Sequence, residues 1–367
     1  MKEGTDLNGI ESIIRGEMEI KNDLICHSPE IEFSVTPTER EIEEQFPRVG
    51  QPTIKVDNQE YKASDLMMSQ ISAKLQVPNK YLKRMVVEAP ELAETNINHW
   101  LQNQPKPFMV RTLGDTARAF LSDKYEIIDN WDVLTAVLPA LKPYKDRDDL
   151  QFEQSHVTDS HLYLRLIVPS MERDVGVKRE VGDIIQYGLQ IKNSEVGQGS
   201  VEVSPFIKRL VCLNGMVADR FGHKKRHLGK SHWDGVDRSI LRQETIRQGN
   251  KAWIMTVQDE VDNLFNGQTF EQITDEFILA QETQPIEKPV KAIEYVTKNY
   301  DFMDFEGESI LENLLRDGDK TKYGLANAIT RSATNSNTAD RSMELESKGY
   351  EFLTMNDREW SNIATAS

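Results

Sequence analysis

The chain has 367 residues, of which 38% are hydrophobic and 28% charged, a balance that places it among folded proteins with a polar surface. Its longest apolar run, at residues 134–141, is far short of the roughly 20 apolar residues of a membrane span, and its first residues lack the basic-then-apolar order of a signal peptide, so neither a membrane partner nor a leader is expected. Two cysteines, Cys26 and Cys212, argue against a disulfide scaffold and fit a reducing, cytoplasmic setting, while the net charge of −16 taken alone opposes nucleic-acid binding.

In chain order, residues 1–60 are acidic and carry only weak strand signals such as 31–35, which predicts a loosely ordered arm. Residues 61–256 read as an α+β core. Ser64 suits the cap of a helix carrying Leu66, Met67, Ile71 and Leu75. Pro78 suits the first turn of a second, with Tyr81, Leu82, Met85 and Val86, and Pro90 opens a third that ends near Trp100 and Leu101. Strands at 108–113 and 117–121 flank Gly114 and Asp115, a hairpin signal. A helix over 131–141 follows, then a second hairpin, 150–157 and 161–168, around Asp159 and Ser160. Leu162, Leu164, Leu166 and Val168 share one strand face, as do Ile185, Tyr187, Leu189 and Ile191 on the next strand. This alternation predicts an antiparallel sheet of hairpins with one covered face, flanked by an N-terminal helical block and a C-terminal helical region. A short strand at 201–204 comes next. After Pro205 the pattern predicts helix to about Asn214 and Gly215, then a basic loop at 220–233, then a helix over 236–265 with Trp253, Val257, Val261 and Leu264 as its apolar stripe. Residues 257–367 complete the chain as an acidic helical region.

Charge is unevenly spread. Residues 1–46 hold 12 acids and 4 bases, and residues 257–319 hold 16 acids and 4 bases, whereas residues 208–251 hold 11 bases and 4 acids. Screening confines a charge's influence to about 8 Å in physiological salt, so an acidic total leaves room for a basic site. Lys208, Arg209, Arg220, Lys224, Lys225, Arg226, Lys230, Arg238 and Arg242, with Phe221 and Trp233 interleaved, combine phosphate neutralisation with base stacking, a pairing that suits single strands. The bland alternative is a solvated loop, or a basic surface docked on the protein's own acidic C-terminal region.

Other constellations are less specific. The loop Asn193, Ser194, Glu195, Val196, Gly197, Gln198, Gly199, Ser200 has two glycines that could admit an anion to backbone amides, or that simply serve a turn. It departs from the phosphate-loop pattern and lacks its lysine. Residues 71–85 resemble a helix-turn-helix with Asn79, Lys80, Lys83 and Arg84 outward and Gln76 where a turn glycine usually sits, yet an ordinary helix pair explains them as well. Cys212, His223, His227 and His232 have metal-like spacing amid lysines and arginines that oppose a cation, so no metal and no cofactor is expected. Glu195 with His156 or His161 would make an acid–base pair if the fold joined them, and Asp123, Asp129 and Asp183 read as turn residues.

Three stretches carry a family resemblance: RAFLSDKYEIIDN at 118–130, NSEVGQGSVEVSPFIKRLVCLNGM at 193–216, and NAITR at 327–331 followed by DRSMELE at 340–346. Together they resemble the phage/plasmid-like proteins grouped as domain of unknown function 932. The resemblance implies a mobile-element origin and a bacterial cytoplasm, and it transfers no reaction or catalytic set. A sheet followed by a basic helical region is also similar to single-strand annealing proteins of recombination. The expected function is therefore phage- or plasmid-encoded binding or annealing of single-stranded nucleic acid. An enzyme acting on nucleic acid or nucleotides through Ser194 and Glu195, and an acidic interaction protein for a host factor, are the alternatives. A homo-oligomer is a further partner to consider.

Overall fold

A computed structural model describes residues 2–4, 6–36, 50–103, 105–177, 182–211, 215–225, 251–265 and 267–366. The chain opens with β1 (Lys2–Gly4), α1 (Leu7–Ile20), β2 (Lys21–His27), β3 (Glu32–Thr36), β4 (Gln51–Val56) and β5 (Gln59–Ala63). Three helices follow, α2 (Asp65–Leu75), α3 (Asn79–Glu88) and α4 (Pro90–Asn103), then β6 (Pro107–Leu113), β7 (Thr116–Ser122) and α5 (Asn130–Lys145). Next come β8 (Gln151–Val157), β9 (Leu162–Asp174), β10 (Ile184–Asn193), β11 (Val201–Arg209), β12 (Gly215–Val217) and β13 (His223–Lys225). The rest is helical: α6 (Lys251–Leu264), α7 (Gln268–Gln281), α8 (Pro289–Asn299), α9 (Asp304–Asp317), α10 (Lys322–Ser332), α11 (Ala339–Leu353) and α12 (Asp357–Ala364).

The strands form two sheets, not one. The first runs β2-β6-β7-β5-β4-β3 and is antiparallel except where β5 lies parallel to β7. The second runs β1-β8-β9-β10-β11-β12, antiparallel throughout, with β13 also on β11. This is an α+β fold, with α2–α4 packed on the first sheet through Met67, Ile71, Leu82, Met85, Ile97 and Leu101. The predicted face of β9 and β10 packs under α5, α6 and α7, where Val133, Val137, Val257, Val261, Ile273 and Phe277 are buried. The later helices enclose a separate core around Ile293, Ile310, Leu325, Ile329, Phe352 and Trp360.

The described part of the first sixty residues is regular structure where a loosely ordered arm was expected. Their described part holds β1–β5 and α1, and Ile10, Ile14, Phe33 and Ile54 are fully buried. Most acids there are exposed, while Glu17 and the Asp23 side chain are buried, so acidity did not mean absence of structure. The first sheet's outer edge is closed by side chains. Asn98 of α4 accepts from the Phe33 amide and donates to the Phe33 carbonyl, both at 2.8 Å, while Glu94 accepts from the Val35 amide at 2.7 Å. These groups stand in for a missing strand, which blunts an edge that would otherwise recruit another chain.

The predicted helix after Pro205 is also corrected, because β11 continues through it to Arg209. Pro205 is tolerated because β13 pairs with 201–203 and β12 with 206–208, so the missing N–H falls in the gap between them. In the helix pair at 71–85, Gln76 takes the left-handed conformation usually reserved for glycine, with φ 57°. Lys80, Lys83 and Arg84 lie on the outer face of an ordinary amphipathic helix, with Leu82, Met85 and Val86 inward. Cys26 is buried, and desolvation, aided by Glu30 and Asp57, pushes its thiol up to about 12, which leaves it a poor nucleophile.

Candidate functional site

The described part of the basic stretch is largely occupied by internal acids. Lys208 on β11 reaches Glu153 at 2.6 Å. Arg209 is buried, donates to both oxygens of Asp183 at 2.7 and 2.5 Å, and lies 5.1 Å over the Tyr323 ring. Tyr323 donates its hydroxyl to the same Asp183 at 2.6 Å, so Asp183 is the hub of a buried triad, not a solvated turn residue. Arg220 pairs with Glu276 of α7 and stacks 4.7 Å over Phe221, whose ring packs partly buried against the core. This contact is the docking on the acidic helical region that the charge pattern allowed. Lys224 lies 3.5 Å from Glu202 and is 45% exposed, and Lys225 follows it on β13, opposite Val201. Arg226, Lys230, Trp233, Arg238 and Arg242 lie outside the described residues, as do Cys212, His227 and His232. Among the described residues no group of three or more His, Cys, Asp or Glu could hold a metal ion, and no helix is long and apolar enough to cross a membrane.

The loop after β10 does something the sequence reading did not anticipate. Asn193, Ser194 and Glu195 are buried, so this segment is not an exposed cradle. Glu195 is the centre of a charge cluster where the two sheets meet. Its Oε1 accepts from Lys21 Nζ at 2.6 Å and from the Asn130 amide at 2.7 Å, and its Oε2 accepts from Arg118 at 2.6 Å. Arg111, fully buried, donates to the Glu195 carbonyl at 2.7 Å, to Asp129 at 2.6 Å, and to both oxygens of Asp23 at 2.6 and 3.1 Å. Asn193 donates to Asn130 at 2.8 Å, and Tyr125 donates its hydroxyl to the Ser194 carbonyl at 2.8 Å. Three cations and three carboxylates thus balance in a volume from which water is largely excluded.

The electrostatics follow from that balance. Burial alone would push the Glu195 carboxyl up, but Lys21, Arg118 and Arg111 outweigh it and hold the pKa far below the usual carboxylate range. Asp129, equally buried, is likewise held down, by Arg111 and Lys21 against the repulsion of Glu195. Burial works against the Arg111 charge, yet Asp23, Asp129 and Glu195 more than offset it. A carboxylate so strongly held in its charged form is a poor general base near neutrality. Glu195 is accordingly a structural counter-ion, and Asp129 joins it instead of serving as a solvated turn residue.

The imagined partnership of Glu195 with a histidine takes another form. His161 shares its Nδ1 with Asp340, at the start of α11, at 3.2 Å. Thr158 adds contacts to the same carboxylate at 3.3 and 3.4 Å. His161 and Glu195 nevertheless line one cleft of about 480 Å³ between the sheets, together with Ser64, Thr116, Arg118 and Asn130. The two loop glycines serve packing here. A Cβ on Gly197, whose φ is +75°, would stand 2.7 Å from Leu121, and one on Gly199 would stand 3.2 Å from His161 Nε2. A second, larger cavity of about 680 Å³ surrounds Arg209, Asp183, Tyr323, Asn327 and Arg331.

Lys21, Asp23, Arg111, Arg118, Asn130 and Asp340 are the site residues that sequence reasoning missed. One signal was present: Arg111 shares a strand face with Met109 and Leu113 inside an apolar hairpin, where a charge needs a buried partner. The first two stretches that carry the family resemblance also meet in space. The first touches the second through Arg118 and Glu195, and through Asn130 and Asn193. Glu346 of the third pairs with Arg165 of β9. Against known proteins, no family model matches the chain, and no curated protein or solved structure matches it either.

Proposed function

We propose that the chain binds nucleic acid, single strands in preference, as a phage- or plasmid-type protein related to domain of unknown function 932 and serving replication or recombination. The observation that carries this reading is the placement of the Lys224 and Lys225 pair on β13, a strand on the outer edge of the second sheet, with the Lys224 side chain 45% exposed. Lys208, Arg209 and Arg220 are engaged with acids, so phosphate contacts fall to Lys224, Lys225, Arg226, Lys230, Arg238 and Arg242. Phe221 is packed inward, which leaves Trp233 as the stacking group. The test is fluorescence anisotropy of labelled single- and double-stranded oligonucleotides over a salt series. Single-strand binding should weaken as salt rises, and Lys224→Glu with Lys225→Glu should flatten the log–log salt slope by about 1.4, two contacts at roughly 0.7 each. An affinity unchanged by the double substitution at about 50 mM salt would overturn the assignment.

A second reading, binding of a host protein, rests on a different observation. A groove of about 420 Å³ between α8 and α9 has apolar walls that include Val290, Ile293, Phe302 and Leu311, and its charged lining is Glu294, Asp304 and Glu308 against one base, Lys298. Val290 is half exposed although it lines an apolar wall. The acidic rim suits a basic amphipathic helix. A lysine- and leucine-rich helical peptide should bind here and lose affinity on Val290→Asp; indifference to that change would remove the reading. The enzyme alternative loses its base, since Glu195 is committed to three cations.

A further inference from the structure

The connection from α2 to α3 is short, Gln76, Val77 and Pro78, and its geometry is fixed residue by residue. Gln76 ends α2 in the left-handed conformation, φ 57° and ψ 33°, where glycine is the ordinary choice because a Cβ is costly there. The Gln76 and Val77 amides both donate to the Ser72 carbonyl, and Ser72 Oγ donates to the Val77 carbonyl at 2.5 Å. Val77 is buried, and Pro78 leads into α3. Ile71 and Leu75 of α2 share one core with Val77, with Leu82, Met85 and Val86 of α3, and with Ala93, Ile97 and Leu101 of α4. A helix, a left-handed turn residue, a buried turn residue and a second amphipathic helix are the parts of a helix-turn-helix, here braced by a third helix.

Any tight helix pair could share that backbone. The outward face of α3 tells the two apart. Lys80, Tyr81, Lys83, Arg84 and Val87 are exposed on it, Tyr81 by 48%. From Leu66 to Val87 the chain carries four bases, Lys74, Lys80, Lys83 and Arg84, and no acid, although about one residue in six of the whole chain is acidic. The pairs these bases make are with acids just beyond that stretch: Asp65 stands 3.8 Å from Lys83, and Glu88 pairs with Arg84 at 2.6 Å. Every side chain in those two pairs is more than half exposed, so water and salt screen them and a phosphate can replace the acid. Lys208, Arg209 and Arg220 differ, since their acids lie on other parts of the fold.

We propose that α2 and α3 form a helix-turn-helix that seats α3 in the major groove of duplex DNA. Lys80, Lys83 and Arg84 meet phosphates and guanine edges, and Tyr81 and Val87 face thymine methyl groups. Duplex RNA does not fit, because its major groove is too deep and narrow for side chains to read. This surface belongs to the helical layer on the first sheet, whereas β13 belongs to the second sheet, so it does not depend on single-strand binding at Lys224 and Lys225.

Fluorescence anisotropy of the full chain with short labelled duplexes of random sequence tests this. At about 50 mM salt duplex DNA should bind with a Kd of about 10 μM or tighter, and duplex RNA at least about tenfold more weakly. Lys80→Glu, Lys83→Glu and Arg84→Glu together should weaken DNA binding at least about tenfold and flatten the log–log salt slope by about 2.7, three contacts at roughly 0.9 each. These side chains are exposed, so the urea midpoint should stay at the wild-type value, which separates lost binding from lost fold. Lys224→Glu with Lys225→Glu should leave duplex affinity within about twofold, so failure on β13 and failure on α3 are read apart. Repeated selection from a random duplex pool should enrich a preferred site, since a helix in the groove reads base edges. No duplex binding at about 50 mM salt, equal binding of duplex RNA, indifference to the triple substitution, a larger loss from the β13 pair than from the α3 triple, or a pool without a preferred site would each overturn the assignment.

Discussion

Two glutamates, Glu195 and Glu346, are buried to similar degrees and both pair with arginine, yet their acidities move in opposite directions. Burial pushes each one up. At Glu346 the single guanidinium of Arg165 fails to offset it, and the pKa stays raised. At Glu195 three cations and a backbone amide reverse the sign. Besides its contact with Glu346, Arg165 donates twice to Gln190 Oε1, at 2.8 and 2.7 Å, and lies 4.5 Å over the Phe206 ring, so it is only partly committed to its acid. The lesson is that a buried ion pair is not a unit of stability. What decides is the number of partners that replace the lost water.

Substitutions at the two places should separate them. The largest effect is expected for Arg111→Met, which strands Asp23, Asp129 and the Glu195 carbonyl; urea unfolding should register a loss of about 3–5 kcal/mol. A loss under about 1 kcal/mol would show that the cluster relaxes around the gap and that its charges are not coupled. Glu195→Gln keeps an acceptor for the Asn130 amide and removes only the charge, so a smaller loss of about 2 kcal/mol is expected. Smallest should be the joint replacement Arg165→Met, Glu346→Leu and Gln190→Leu, within about 1 kcal/mol of wild type, because a weakly compensated group removed with all its partners exchanges with apolar groups at little net cost. If this triple variant instead unfolds the protein, the contrast between the two glutamates fails.

Acid titration sharpens the same contrast. The depressed Glu195 contributes stability that is present above the unfolded carboxyl value of about 4.3 and is lost as pH falls through its lower folded value. The gap between wild type and Glu195→Gln should therefore close on acidification. The raised Glu346 behaves oppositely. Between about 4.3 and its higher folded value the folded chain holds a proton that the unfolded chain releases, so its contribution declines as pH rises through that window. Glu346→Gln should accordingly compare better with wild type at the upper end of the window than at the lower, as read by urea midpoints.

Much of this fold was legible from local pattern. The two hairpins, the capped helix after Ser64 and the shared faces of β9 and β10 follow from periodicity and turn chemistry, which act over a few residues. The misreadings share a physical cause. The described part of residues 1–60 looked unstructured because its strands are short and rich in acids, and its order comes from pairing with β6, β8 and one another. Pro205 looked like a helix start because the gap that accommodates it is made by two strands further along the chain. At the site, the loop at 193–200 was noticed for its glycines while its importance lies in Glu195. The partners of Glu195 stand 65 to 174 residues away, and no local signal specifies them. Arg111 alone announced itself, as a charge on an apolar strand face. The basic run was read as free charge, and in a chain of net charge −16 an acid within reach had already claimed Lys208, Arg209 and Arg220.

The contact between Lys21 and Glu195 also sets a timetable. Lys21 belongs to one of the first strands to be synthesised, and its partner is made 174 residues later. On a ribosome adding about 5–20 residues per second, Lys21 waits roughly 10–35 s for Glu195, and the first sheet, complete only at Ser122, waits roughly 4–15 s for it. Four of the six charges, Lys21, Asp23, Arg111 and Arg118, stand on the first sheet, and the cluster closes as a late clasp only when Glu195 is in place.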